Sequence, residues 1–237
     1  MKDIELKREG AVGIMVMSHE EQNWFDRPFV TEILEVLDEV EADSGLSALV
    51  ITGGAEKYFS TGLNLQFMSK LEPKDLIEYI KLFNGMLARL CVFPRPVIAA
   101  INGHVIAAGC IFAAHMDFRY MRRDRGWVSL PEVDINIPFL PGMIAIIKEI
   151  LPPAAMRDMM LTGKKYSGPE AKAMGYIDEA YDNDELLPKC IEHAAFLATK
   201  NIAAYAEIKR RMRARVTRII EEEDMKMISG PDLKQQG

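Results

Sequence analysis

Apolar and polar positions alternate along IELKREGAVGIMVMS (residues 4–18) around a central glycine, which predicts a two-stranded hairpin. The period then changes. In PFVTEILEVLDEVEAD (28–43), Phe29, Ile33, Val36, Leu37 and Val40 fall on one helical face, and Pro28 suits a first turn. SALVITGG (47–54) predicts a buried strand, and DLIEYIKLFNGMLARLCVF (75–93) a second helix closed by Pro94. RPVIAAING (95–103) predicts another buried strand, GCIFAAHM (109–116) a helix and DFRYMRR (117–123) a strand. This alternation predicts α/β architecture. From about residue 139 the pattern is mostly helical: LPGMIAIIKEIL, PAAMRDMML, GPEAKAMG, ELLPKCIEHAAFLATK and a basic helix. No internal repeat or low-complexity segment appears, and ISGPDLKQQG reads as a loosely held tail.

Composition narrows the classes. The chain has 237 residues, 49% hydrophobic and 27% charged, which suits a globular protein with a sizeable core. A net charge of −6 offers no overall basic field, so nucleic acid is not an expected partner. The run Lys209 to Arg218, followed by EEED, reads as a solvated or inter-subunit helix face, with a phosphate or partner site as the alternative. Cys91, Cys110 and Cys190 are odd in number and lack metal spacing; no metal site is expected. The charged N-terminus, the lack of an apolar run of ~18 residues and a C-terminus unlike a peroxisomal address predict a cytoplasmic protein without a membrane span.

Two stretches share a design. In VITGGAEKYFSTGLNL (50–65) and VIAAINGHVIAAGC (97–110), small residues follow a buried strand. Small residues permit close backbone approach to a ligand, and the N–H groups that open a helix are unpaired. Two such turns suit an oxyanion hole, but tight packing explains small residues equally well. No phosphate loop and no GxGxxG is present, which disfavours nicotinamide chemistry. His104 and His115 read as structural, and no Ser or Cys nucleophile motif appears.

KYFSTGLNL resembles the Phe-small-small-Gly-x-Asp-Leu/Ile loop of the crotonase (enoyl-CoA hydratase/isomerase) superfamily. QNWFDRPFVTEILEVLDEVEADSGLSALVITGG, RPVIAAINGHVIAAGC, PEVDINIPFLPG and LTGKKYSGPEAKAMGYIDEAY resemble further motifs of that family, in its order. The resemblance covers roughly residues 5–190. It implies a crotonase-like ββα spiral core over 1–190, with a helical C-terminal trimerisation part over 191–237. Family members hold a CoA thioester oxygen between two backbone N–H groups, which here fall at Leu63, after Gly62, and at Ala108. Asn64 replaces the usual Asp, and Gln66 stands where some members carry a basic residue. Hydratases of the family use two glutamates. One position is Glu132; the other is Ile111, which holds neither proton nor water.

A single carboxylate suits a double-bond shift, with one proton removed at C2 and returned at C4. Apolar company from Val128, Leu130, Ile135, Ile137 and Phe139 is expected to raise the pKa of Glu132. The single-glutamate pattern with IPF and MRRDRG resembles Δ3,Δ2-enoyl-CoA isomerases. The resemblance thus implies an acyl-CoA isomerase with Glu132, Leu63 and Ala108 as catalytic groups. Asn23, Arg27, Ser60, Thr61, Gly62, Leu65, Ile111 and Phe139 are its expected substrate-binding residues. Asp134 and Asn136 are candidates for a second acid or a polar wall. Coenzyme A enters as part of the substrate, so no separate cofactor is expected. A homotrimer or hexamer is expected through the helix Asn201 to Glu223, by way of Ile202, Tyr205, Ile208 and Met212. Hydratase, hydrolase or decarboxylase chemistry on the same scaffold, or a non-catalytic CoA-binding role, are the alternatives.

Overall fold

The alternation read in the first strands is what the fold exploits. A computed structural model describes residues 2–230 and contains a six-stranded mixed sheet and a three-stranded parallel sheet. β1 (Ile4–Glu9) and β2 (Val12–Met17) form the expected antiparallel hairpin, turned at Gly10 with φ +58. β3 (Ala48–Gly53) joins β2 in parallel. Its period-two side chains divide between two layers: Leu49 and Ile51 face one apolar cluster, Ala48 and Val50 the other.

The chain then leaves this sheet for a second one. Each excursion consists of a long strand, a short strand and a helical segment. α1 (Arg27–Ala42) connects β2 to β3, and after β3 come β4 (Tyr58–Ser60), the short α2 (Leu65–Met68) and the long α3 (Pro73–Cys91). β5 (Val97–Ile101) is followed by β6 (His104–Ile106) and α4 (Ala108–Ala114). β7 (Phe118–Arg122) is followed by β8 (Val128–Ser129), a loop and α5 (Pro141–Ile150). The large sheet has the order β1-β2-β3-β5-β7-β9, where β9 is Glu179–Tyr181; the small parallel sheet has the order β4-β6-β8. This is the expected α/β spiral, built from successive ββα turns.

One face of the large sheet is covered by α1 and α3, whose Phe29, Ile33, Leu37, Phe83 and Leu87 are buried. The chain continues through α6 (Pro153–Thr162) and α7 (Gly168–Met174) to β9 and then α8 (Asn183–Ala198). Leu186, Cys190, Ala194 and Leu197 of α8 cover the opposite face. The expected boundary between residues 190 and 191 therefore falls inside a helix that closes the core. The helical part is built onto the sheet rather than appended after it.

α9 (Ile202–Arg218) passes into a π-helical turn at Ile219–Asp224 and then α10 (Met225–Ser229), so the expected single helix to Glu223 changes its winding. The basic run is not a uniform solvated face. Lys209 is buried and donates to Asp117 Oδ2 at 2.8 Å and to the Arg95 carbonyl at 3.2 Å. Arg213 pairs with Glu149 at 2.7 Å. Ile208 and Met212 remain 58% and 70% exposed, whereas Tyr205 packs against the sheet-covering cluster. The three cysteines are buried and free. Among the described residues no helix is long and apolar enough to cross a membrane, and no group of His, Cys, Asp or Glu is arranged to hold a metal. Residues 231–237, which hold most of the expected tail and its terminal KQQG, lie outside the described residues.

Candidate active site

The three strands of the small sheet end side by side, and a candidate residue follows each: Leu63 after β4, Ala108 after β6 and Glu132 after β8. The first turn is shaped by Gly62, with φ +91. A Cβ at Gly62 would lie 2.8 Å from the Ala108 nitrogen, so any side chain there would push the two turns apart. Leu63 forms an isolated parallel bridge with Phe25. Phe25 N–H donates to the Gly62 carbonyl at 2.7 Å, and Asn64 N–H donates to the Phe25 carbonyl at 2.8 Å. In that pattern the N–H of Leu63 itself points away from Phe25. Asn64 then caps α2 by accepting from Phe67 N–H at 2.9 Å, a task Asn performs as well as the family's Asp.

The second turn carries its constraint on an alanine. Ala107 has φ 53 and ψ −129, a conformation that favours glycine and that in other residues stores on the order of 1–3 kcal/mol. Its N–H donates to the Ser129 carbonyl at 2.9 Å and its carbonyl accepts from Cys110 and Ile111 N–H, which fixes the turn. Ala108 opens α4, so its N–H has no acceptor within the helix. Gly109 lets α4 meet β4: a Cβ there would lie 2.5 Å from the Ser60 carbonyl oxygen. The small residues thus serve packing and backbone exposure together.

Glu132 follows Pro131 in a tight turn. Its carbonyl accepts from Ile135 N–H at 3.3 Å and Ile137 N–H at 3.1 Å, and Asn136 completes the turn with φ 57. Glu132 is only 7% exposed, and its Oε2 has no hydrogen-bond partner among the described residues. Burial disfavours the carboxylate and pushes its pKa up to about 7, opposed by its own backbone N–H. A group so placed both accepts and returns a proton near neutrality. Part of the expected apolar company differs: Val128 and Leu130 lie in the core, Ile137 and Phe139 stand beside Glu132 in one cavity, and Ile135 is 42% exposed.

That cavity measures about 380 Å³, and Leu63, Ala108 and Glu132 all line it. Its wall is otherwise mainly apolar, from Leu65 of α2, Leu76, Ile80 and Phe83 of α3, Phe139, Leu140 and Met143. Met227 of α10 also contributes. The π-helical turn brings α10 there: Asp224 is buried and its Oδ1 accepts from Gly142 N–H at 2.8 Å, at the start of α5. The residues from α3 lie at helical spacing, a signal that marks a buried face without telling cavity wall from core. Met227 has no local signal at all.

The expected binding residues divide. Leu65, Phe139 and also Asn136 line the cavity. Gly62 shapes the first turn. Asn23 and Ser60 are fully buried and bonded to the backbone, so they are not a substrate surface. Ile111 is fully buried in the core and outside the cavity wall; it is helix packing where an acid was sought. Thr61 bonds Gln22, and Arg27 donates to the Asp75 carbonyl and lines a separate open groove with Lys2, Thr31 and Glu35. Asp134 is exposed, its carboxylate lying over Gly163 rather than in the cavity.

This sequence and fold resemble those of known proteins. A sequence model of the family described as Enoyl-CoA hydratase/isomerase matches residues 7–228. Enoyl-CoA delta isomerase 3 of Arabidopsis thaliana is 30% identical over 91% of this chain and 94% of its own. Carnitinyl-CoA dehydratase of Escherichia coli K12 is 29% identical over 88% of this chain and 79% of its own. The crystal structure of human mitochondrial delta3-delta2-enoyl-CoA isomerase superposes with a TM-score of 0.90 at 22% identity, covering 99% of this chain and 95% of that one.

Proposed function

The chain belongs to the enoyl-CoA hydratase/isomerase family, and from that premise we propose that it moves the double bond of a 3-enoyl-CoA to the 2-position. The observation that carries this reading is one buried carboxylate, Glu132, set in an apolar cavity whose wall also includes Leu63 and Ala108. The thioester oxygen sits between the N–H groups of Leu63 and Ala108. Glu132, ionised, takes a proton from C2, and the electrons move through the 3,4 double bond system to leave a dienolate. The two N–H groups hold its oxygen, a kind of contact worth about 3–4 kcal/mol per donor at the transition state. Glu132 then returns the proton at C4, which leaves the double bond between C2 and C3. The steps are redox-neutral and use no cofactor beyond the coenzyme A of the substrate.

Hydration across a double bond would call for a second acid to hold water. Glu132 is the one carboxylate on the cavity wall among the described residues, and position 111 supplies an isoleucine. The relative named as an isomerase supports the same reading. The protein is further proposed to act in the cytoplasm as a homotrimer or hexamer, with the exposed Ile208 and Met212 of α9 in the contact; light scattering that finds a monomer would remove this part.

Incubation with 3-hexenoyl-CoA in ¹⁸O-labelled water tests the reaction. The expected result is ultraviolet absorbance of the conjugated 2-enoyl thioester with no label in the product. Bound 3-hexenoyl-CoA with no conversion, beside a labelled 3-hydroxyacyl product from 2-hexenoyl-CoA, would replace the isomerase by a hydratase; no conversion of either thioester would replace it by a non-catalytic binder.

A further inference from the structure

The loop that carries the Leu63 N–H is tied on both flanks to residues that never reach the cavity. On one flank Ser60, fully buried, donates through Oγ to the Asn23 carbonyl at 2.7 Å and accepts from Gly62 N–H at 3.2 Å. Asn23 is itself fully buried, with φ 47, and its side chain spans the junction. Its Oδ1 accepts from His19 N–H at 2.8 Å, and its Nδ2 donates to the Phe59 carbonyl at 3.2 Å. On the other flank the hydroxyl of Tyr79, fully buried in α3, donates to the Phe25 carbonyl at 2.7 Å. That same carbonyl accepts from Asn64 N–H. Leu63 therefore lies between two peptide units whose positions are each set by a buried side chain.

We propose that Ser60, through Asn23, and Tyr79, through Phe25, are positioning residues that aim the Leu63 N–H at the oxygen of the reacting thioester. The proposal rests on the reading of Leu63 as an oxyanion donor. Neither side chain touches substrate. Each fixes a neighbour of the donor, and a donor displaced by about 1 Å loses on the order of 100-fold in rate. The left-handed conformation of Asn23 has a reason in this arrangement: it turns the carbonyl of residue 23 toward Ser60 while the side chain spans to Phe59.

The probe is acetoacetyl-CoA, whose enolate absorbs in the ultraviolet where the keto form does not. A donor pair aimed at the thioester oxygen raises the bound enolate fraction at neutral pH, whether or not turnover follows. Ser60→Ala is compared with Thr52→Val, which removes a buried hydroxyl donating to the Ala100 carbonyl at 2.9 Å in the large sheet, away from the loop. The expected result is a bound enolate equilibrium reduced by about tenfold or more in Ser60→Ala. Its kcat for 3-hexenoyl-CoA falls by a similar factor with KM within about threefold, while Thr52→Val keeps both at the same loss of thermal stability. Tyr79→Phe, which retains the ring, is expected to lose several-fold and serves if Ser60→Ala does not fold. An enolate equilibrium unchanged in the folded variants overturns the positioning role. An unmodified protein that binds acetoacetyl-CoA without raising its enolate overturns the oxyanion reading beneath it.

Discussion

β3 of the large sheet buries Leu49 and Ile51 against one layer and Val50 against the other, whereas β8 of the small sheet has only Val128 and Ser129. Both sheets are parallel where the ββα turns repeat, and both are buried. The large sheet has helices on its two faces and apolar side chains in alternation, the arrangement that yields stability from area removed from water. The small sheet is short and irregular, with a register shift between Tyr58 and Ser60. It brings three chain segments to one edge and releases them there, where Leu63, Ala108 and Glu132 meet one cavity. Under the proposed reaction, stability and chemistry are assigned to different strands of the same repeat. Substitutions in the two sheets are therefore expected to separate.

Short of removing the carboxylate itself, the largest expected effect comes from forcing the ends of the small sheet apart. Gly109→Ala places a Cβ 2.5 Å from the Ser60 carbonyl, a backbone atom that cannot yield without moving β4. Turnover of 3-hexenoyl-CoA is expected to fall by about 100-fold or more in protein that circular dichroism shows to be folded. Retained turnover would detach the interlocked turns from the chemistry.

Acidity gives a smaller, graded loss from the same edge. In the proposed reaction Glu132 must be ionised to take the C2 proton, and burial raises its pKa to about 7. kcat/KM is expected to fall about tenfold per pH unit below that value and to level above it. The sign for stability is opposite. Because the folded pKa is raised from 4.5, the charged form opposes folding, and stability drains as pH rises from 4.5 through about 7. Glu132→Gln is therefore expected to melt a few degrees above the unmodified protein at pH 8 and level with it at pH 4.5, read by calorimetry. A lower melting temperature at pH 8 would mean that the carboxylate is stabilised in the fold.

In the large sheet the expectation reverses. Ile51→Ala is expected to lower stability by about 2–5 kcal/mol in denaturant titration while activity per folded molecule stays within about twofold. The smallest effect sharpens the comparison at one turn. Ala107→Gly relieves the positive φ of 53 and is expected to raise stability by up to about 1 kcal/mol with turnover retained. A loss in both would show that the alanine methyl has a packing role.

The same contrast explains what was legible beforehand. β2, β3, β5 and β7 announce themselves by five or six apolar-rich residues, and α1, α3 and α8 by helical spacing. β4, β6 and β8 are two or three residues long, too short for any period to show, so the small sheet escaped pattern reading. Glycines and alanines at the turns gave a local sign of close approach, but which N–H groups face the cavity came from family resemblance. Asn23 and Ser60 show how polar residues at motif positions mislead: they serve the loop from inside. Met227 reaches the cavity only because a π-helical turn redirects the last helix, a long-range consequence that no local window contains.

The central claim is that one carboxylate at the end of the small sheet moves the proton. The most direct measurement is the turnover of 3-hexenoyl-CoA by Glu132→Gln beside calorimetric binding of a saturated acyl-CoA. The account predicts a loss of about 1000-fold or more in kcat with binding within about threefold. Turnover above a tenth of the unmodified rate would contradict it and assign the proton transfer to another group.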